Sequence, residues 1–235
     1  AERFALDACR CCLVQMLCGT DDDDSECEEV EFSGQVPSLP SHVLLDAAVA
    51  DQKVAYIRHF LSANDISSLH CLAQREDVKS IDDREDSLLY RHEVWRIEVA
   101  LKDGCQEIYR RLMDAAWALD AKLWHGIEDG QTLFPEIEYI VYDVERLGAP
   151  GTIQRHRDNG SQVTAVVLLS DPRNFRGGVN CFDGEDTPRS LKLGLGDAVF
   201  FCGDRCYHWI TDVVWGRRVI LQMELSRATP NCFES

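Results

Sequence analysis

Apolar residues recur along this chain with two different periods, and the change from one to the other falls near residue 131. Within residues 105–124, Ile108, Leu112, Ala115, Ala116, Leu119 and Leu123 line one face at α-helical spacing, with Gly126 just beyond as a stop. Upstream, "VAYIRHFLSANDISSLHCLAQ" (54–74) predicts a short strand and then an amphipathic helix. Ser62 is placed to cap that helix with Asp65 three positions on, and Ile66, Leu69 and Leu72 follow at helical spacing. Residues 75–97 show no single period and are read as mixed.

Beyond 131 the texture becomes β-rich. "IEYIVYDV" (137–144), "VTAVVLL" (163–169), "GGVNCF" (177–182), "SLKLG" (190–194), "DAVFF" (197–201) and "RRVILQMEL" (217–225) are short runs separated by Gly, Pro, Asn and Asp. Strands at this spacing predict a sandwich or barrel rather than a parallel sheet. The expected fold is therefore α+β, with N-terminal helices buttressing a barrel-like core.

With 235 residues, 45% of them hydrophobic, the chain can bury a sizeable core as one domain. Its formal net charge of -17 is unevenly spread: residues 1–130 carry 27 acidic and 13 basic side chains, whereas residues 131–227 carry 13 and 11. Gripping phosphate backbones needs Lys and Arg to displace counterions, so nucleic acid is a poor expectation for a partner. The block "DDDDSECEEVE" (21–31) repels itself and offers nothing to bury, and Pro37 and Pro40 extend the break. Residues 1–40 are thus expected to be an acidic, flexible segment, and residues 41–235 a single domain.

No run of about 18 apolar residues is present to suggest a transmembrane helix. The stretch Cys12–Cys18 is too short, and lacks the cleavage pattern, for a signal peptide. Eleven cysteines, odd in number and irregular in spacing, read as reduced thiols rather than a disulfide framework, which places the expected compartment in the cytoplasm. Cys9 and Cys12 form a C-x-x-C with no second pair at zinc spacing, so they are read as small apolar fillers or surface thiols.

The candidate chemistry starts in "GTIQRHRDNG" (151–160). His156 and Asp158 are two apart at a strand end, and strand alternation points both to one side. His208, fifty residues on and just after the apolar strand 197–201, is the candidate third ligand. Two imidazoles and one carboxylate form the facial triad that holds non-haem Fe(II) with coordination positions left open. Arg218 follows ten residues after His208, and a guanidinium is the natural bidentate partner of a carboxylate co-substrate. Arg217 competes with it; alternation favours Arg218, which shares the more polar face with Ile220, Gln222 and Glu224.

In order, H-x-D (156–158), "VVLLSDP…RGGVNCF" (166–182), "LGLGDAVFF" (193–201), His208 and G-x-R (216–218) resemble the 2-oxoglutarate- and Fe(II)-dependent dioxygenases, in their prolyl 4-hydroxylase-like branch. The core of the similarity spans residues 137–225, and "YIRHFLSANDISSLHCLA" (56–73) resembles that branch's first helix and preceding loop. The resemblance implies a double-stranded β-helix, or jelly roll, holding iron through His156, Asp158 and His208. It also implies 2-oxoglutarate chelating that metal with its far carboxylate on Arg218, and ascorbate as reductant. The implied reaction uses dioxygen, decarboxylates 2-oxoglutarate to succinate and hydroxylates a C–H bond of a peptidyl residue or small metabolite. Asp158 is the carboxylate that halogenating relatives lack. Tyr142 resembles the family tyrosine that approaches the co-substrate, with Tyr139 as its competitor. Asn180 stands where the branch often has threonine.

Simpler readings cover much of the rest. His42, His59, His70, His92 and His125 are expected to be packed or surface imidazoles, and Trp209 and Trp215 core or rim packing. Arg155, Arg157, Arg173, Arg176 and Arg205 are expected to be solvated surface charge. Two further functions compete with hydroxylation: oxidative demethylation of nucleic acid, which the acidic front half disfavours, and a catalytically silent barrel serving as a binding module, which the complete triad disfavours.

Overall fold

A computed structural model describes residues 29–39, 43–49, 52–78, 90–184 and 187–227. In chain order its elements are β1 (Val30–Phe32), β2 (Val43–Val49), β3 (Gln52–Ile57), α1 (Ala63–Leu72), β4 (Tyr90–Arg91), β5 (Glu93–Arg96), α2 (Glu98–Gly104) and α3 (Gln106–Leu123). There follow β6 (Gln131–Asp143), α4 (Val144–Leu147), β7 (Thr152–Ile153), β8 (Ser161–Leu168), β9 (Phe175–Arg176), β10 (Asn180–Phe182), β11 (Arg189–Leu191), β12 (Ala198–Phe201), β13 (His208–Ile210) and β14 (Trp215–Ser226).

The strands curl into an antiparallel half-barrel of jelly-roll type. Its larger sheet runs β1-β6-β14-β8-β12-β3-β2, with β5 added on β6 and β9 on β14; a smaller sheet runs β11-β10-β13. Side-chain alternation sorts the larger sheet into two buried faces. Val219, Leu221, Met223 and Leu225 of β14, with Val163, Ala165 and Val167 of β8, join Ile66 and Leu69 of α1 and Leu112 and Leu119 of α3 in one cluster. Ile220, Val166, Leu168, Val199 and Phe201 face the other way and join Phe182 and Ile210 of the smaller sheet. The functional candidates sit in this second layer.

Local chemistry explains the elements. Ser62 closes a reciprocal capping box with Asp65 at the start of α1, as the sequence predicts. The stop after α3 differs from the expected glycine: His125, at φ 53, takes the left-handed conformation instead. The buried Asp120 carboxylate then accepts the amides of Gly126 and Ile127, at 3.0 and 2.8 Å, and fixes the turn. Gly126 is needed for closeness, since a Cβ there would stand 2.6 Å from the Gln162 Oε1.

Three boundaries shift from expectation. Within the supposed acidic linker, Val30–Phe32 forms a strand against Gln131–Leu133, and Phe32 is buried, so the folded unit reaches back before residue 41. The run 177–182 pairs only from Asn180, because Gly177 and Gly178 have φ of 88 and 62, outside strand geometry. The mixed segment contains β4 and β5, and α2 follows unannounced. Residues 1–28, including Cys9 and Cys12 and most of the acidic block, lie outside the described residues. Among the described residues no helix is long and apolar enough to cross a membrane, and Cys71, Cys105, Cys181, Cys202 and Cys206 form no disulfide.

Candidate metal centre

His156 and His208 meet across an isolated antiparallel bridge, each amide donating to the other's carbonyl at 3.0 and 2.9 Å. Asp158 lies on a turn: its carbonyl accepts the Ser161 amide at 3.0 Å, and Gly160, at φ 84, supplies the left-handed residue. The turn role and the ligand role coexist, because the turn uses the backbone and leaves the carboxylate free to point inward.

The three side chains converge. Asp158 Oδ1 is 3.3 Å from His156 Nε2 and 3.5 Å from His208 Nε2, and all the potential ligand atoms lie within 4.8 Å of one another. Each imidazole is set by its other nitrogen: His156 Nδ1 lies 2.7 Å from the Gln154 carbonyl and His208 Nδ1 3.1 Å from that of Cys206. A carbonyl only accepts, so each Nδ1 donates and each neutral Nε2 presents a lone pair inward. Two lone pairs and a carboxylate oxygen aimed at one point is a set of acceptors that a cation satisfies. Thr164 Oγ1 donates to Asp158 Oδ2 at 2.6 Å and holds the carboxylate's orientation.

The electrostatics keep these groups in ligating form. Burial pushes the Asp158 carboxyl up, but the Thr164 hydroxyl and the attraction of the His208 and His156 imidazoles whenever these are protonated outweigh it and hold it below its usual range. Burial pulls His208 below the ordinary imidazole value against the attraction of Asp158, so the ring is neutral near pH 7.

Arg218, Tyr142 and Asn180 form the neighbouring group. Arg218 is 1% exposed on the inner face of β14; its Nη2 donates to Asn180 Oδ1 at 3.4 Å, and its Nε and Nη1 have no hydrogen-bond partner. The Tyr142 ring centroid is 5.2 Å from the guanidinium carbon. Gly178 makes the space, since a Cβ there would stand 2.4 Å from Arg218 Cδ. A cavity of about 280 Å³ lined by Gly177, Gly178, Asn180, Lys192 and Leu193 opens on Arg218. A second recess, lined by Tyr142, Asn180, Ile220 and Gln222, adjoins His156 and His208. The two competitors point elsewhere: Arg217 is half-exposed with Asp143 Oδ2 at 3.7 Å, and Tyr139 faces the helix-side cluster, 2.8 Å from His70 Nδ1.

Sequence reading assigns Thr164 no role, Gln222 only a place on the polar face of its strand, and His92 that of a packed imidazole, which its burial matches. Thr164 and Gln222 had a visible signal, as polar residues on otherwise apolar strands; His92, whose ring packs 5.1 Å from Tyr142, had none.

No protein-family model and no curated protein matches the chain. Solved structures do, and the fold they share with it is that of the 2-oxoglutarate–Fe(II) oxygenases, prolyl 4-hydroxylase-like. A prolyl-4-hydroxylase of Pseudomonas putida is 17% identical with a TM-score of 0.56, over 74% of this chain and 92% of that one. A viral collagen prolyl hydroxylase from Paramecium bursaria Chlorella virus-1, solved as its 2OG complex, is 15% identical with a TM-score of 0.52, over 74% and 96%. The alpha-ketoglutarate-dependent epimerase SnoN of nogalamycin biosynthesis is 17% identical with a TM-score of 0.56, over 77% and 82%.

Proposed function

We propose that this chain is an Fe(II)- and 2-oxoglutarate-dependent dioxygenase that hydroxylates a C–H bond of a peptidyl residue or small metabolite. The observation that carries this is the pairing of two incomplete groups in one layer. Three acceptors await a cation, and a buried guanidinium with two unpartnered nitrogens, Nε and Nη1, awaits an anion. Fe(II) supplies the first need and the far carboxylate of 2-oxoglutarate the second.

His156 and His208 would hold the metal through Nε2 and Asp158 through a carboxylate oxygen, in a facial set that leaves room for keto acid and gas. Bound together, iron and 2-oxoglutarate supply the activation of dioxygen: one oxygen atom goes to succinate as carbon dioxide leaves, the other to the substrate carbon. Arg218 orients the co-substrate by a charge-assisted pair that burial strengthens, and Tyr142 flanks that pair. Phe182, Phe201 and Ile210 wall the layer and exclude water. Ascorbate serves as the reductant that keeps iron ferrous.

The test is turnover of 2-oxoglutarate by purified protein with Fe(II) and ascorbate, scored as succinate. The wild type is expected to release succinate even without substrate, and His156→Ala to release none; equal release from both removes the proposal. A peptide and metabolite screen for the mass gain of one oxygen then identifies the substrate.

A further inference from the structure

The segments bearing the two imidazoles are joined by two isolated bridges, at Gly151–Val213 and at His156–His208, rather than by a continuous ladder. At the His156–His208 bridge itself two backbone hydrogen bonds cross, with the Asp158 amide on the Gly203 carbonyl and the Asp204 amide on that of Ser161 beyond it, and a metal site needs its ligands held to within about 0.5 Å. The outer face of that bridge carries a second attachment. Side chains alternate along extended chain, so Arg155 and Arg157, which flank His156, and Tyr207, which precedes His208, all point away from the metal side. They meet there. The Arg155 guanidinium carbon lies 3.8 Å from the Tyr207 ring centroid and that of Arg157 lies 4.9 Å from it.

Both arginines are themselves tethered. Arg155 donates to Asp183 through Nε, at 3.0 Å, and through Nη2, while the Asp183 amide returns to the Tyr207 carbonyl at 3.1 Å. Arg157 Nη1 donates to the Asp204 carbonyl at 3.2 Å. The cluster thus links the loop after β10, the loop before β13 and both flanks of His156. Both arginines are exposed at the surface, as expected, and in addition make this specific contact.

We infer that Tyr207, with the guanidinium groups of Arg155 and Arg157 stacked on its ring, is a positioning residue that clips the His156 and His208 segments together and fixes their spacing for metal binding. The inference rests on the metal-centre reading above. Tyr207 touches neither metal nor substrate; it acts through the backbone of the residue beside it. The stacked ring matters and the hydroxyl does not, because cation–π attraction comes from the ring face.

The experiment is calorimetric titration of the full chain with Co(II), an air-stable stand-in for Fe(II), together with the Co(II) absorption spectrum. Tyr207→Ala is expected to weaken binding about tenfold, the range found when groups supporting metal ligands are removed. Tyr207→Phe, which keeps the ring, is expected to stay within about twofold of wild type. The double variant Arg155→Met with Arg157→Met changes exposed positions only, is expected to fold, and should weaken Co(II) binding as Tyr207→Ala does. Wild-type affinity in Tyr207→Ala, or in the double variant should Tyr207→Ala fail to fold, overturns the clip; so does a loss in Tyr207→Phe equal to that in Tyr207→Ala. A wild-type protein that takes up no Co(II) overturns the metal-centre reading first and the clip with it.

Discussion

Arg217 and Arg218 are adjacent, carry the same charge and have opposite surroundings. Arg217 extends half-exposed toward Asp143, whereas Arg218 is enclosed with two nitrogens, Nε and Nη1, unpartnered. Losing a buried charge-assisted pair costs roughly 1.5–3 kcal/mol, so Arg218→Ala should raise the 2-oxoglutarate KM by at least about tenfold while leaving Co(II) affinity intact. Arg217→Ala should leave both within about twofold, since exposed pairs contribute little; equal effects from the two variants would contradict the assignment. A pH dependence belongs to this scale as well. Burial lowers His70 and His208 below the ordinary imidazole value of 6.5, so the unfolded chain binds more protons than the folded one as pH falls through that value. The buried Glu224 carboxyl, raised well above its ordinary range by burial, acts in the opposite sense, so it is the metal-free Glu224→Gln variant whose Tm is expected to fall below about pH 6.5, and a Tm of that variant that stays level from pH 7 down to 5.5 counts against it.

At the scale of elements, Asp197 shows how one side chain joins strands distant in sequence. Standing just before β12, its carboxylate accepts the His59 amide at 2.9 Å, the Gly194 amide at 2.7 Å and the Tyr56 hydroxyl of β3. The hydrogen bond shows on the tyrosine, whose pKa is pushed up to about 12 by burial and by the Asp197 acceptor. Asp197→Ala strands three donors, and a loss of about 3 kcal/mol in urea unfolding is expected. Tyr56→Phe should lose only about 1 kcal/mol. The double glycine works at the same scale. Gly178→Ala forces a Cβ within 2.4 Å of Arg218 Cδ at a φ of 62, and should raise the 2-oxoglutarate KM without touching metal affinity.

For the whole molecule, the acidic front contributes a structural edge. Phe32 packs against Trp117, ring centroids 5.7 Å apart, and its carbonyl accepts the Gly130 amide at 2.7 Å. Phe32→Ala should cost about 3–5 kcal/mol, measurable by urea unfolding; a cost under about 0.5 kcal/mol would return Val30–Phe32 to the linker. Sequence reading passed over this strand because Glu28, Glu29 and Glu31 surround Val30 and hide a three-residue alternation. Such a short edge is stabilised by its partner strand rather than by its own propensity.

Much of the site was legible because its parts are ordered along the chain. H-x-D, the double glycine, the distal histidine and the basic residue ten further on sit in β-rich sequence whose period-2 pattern survives in isolation. What spacing left open was facing. β6 and β14 are apolar on both sides, since the larger sheet is buried on both faces, and alternation then separates two faces without saying which one is the site. Folding put Tyr142 beside Arg218 and Tyr139 beside His70, and turned both Nε2 atoms toward Asp158, through carbonyls contributed by Gln154 and Cys206. The residue types, and therefore the acceptors available to a cation, were determined by sequence alone. Their convergence was decided only by tertiary structure, because it depends on a bridge between segments fifty residues apart that no local pattern encodes.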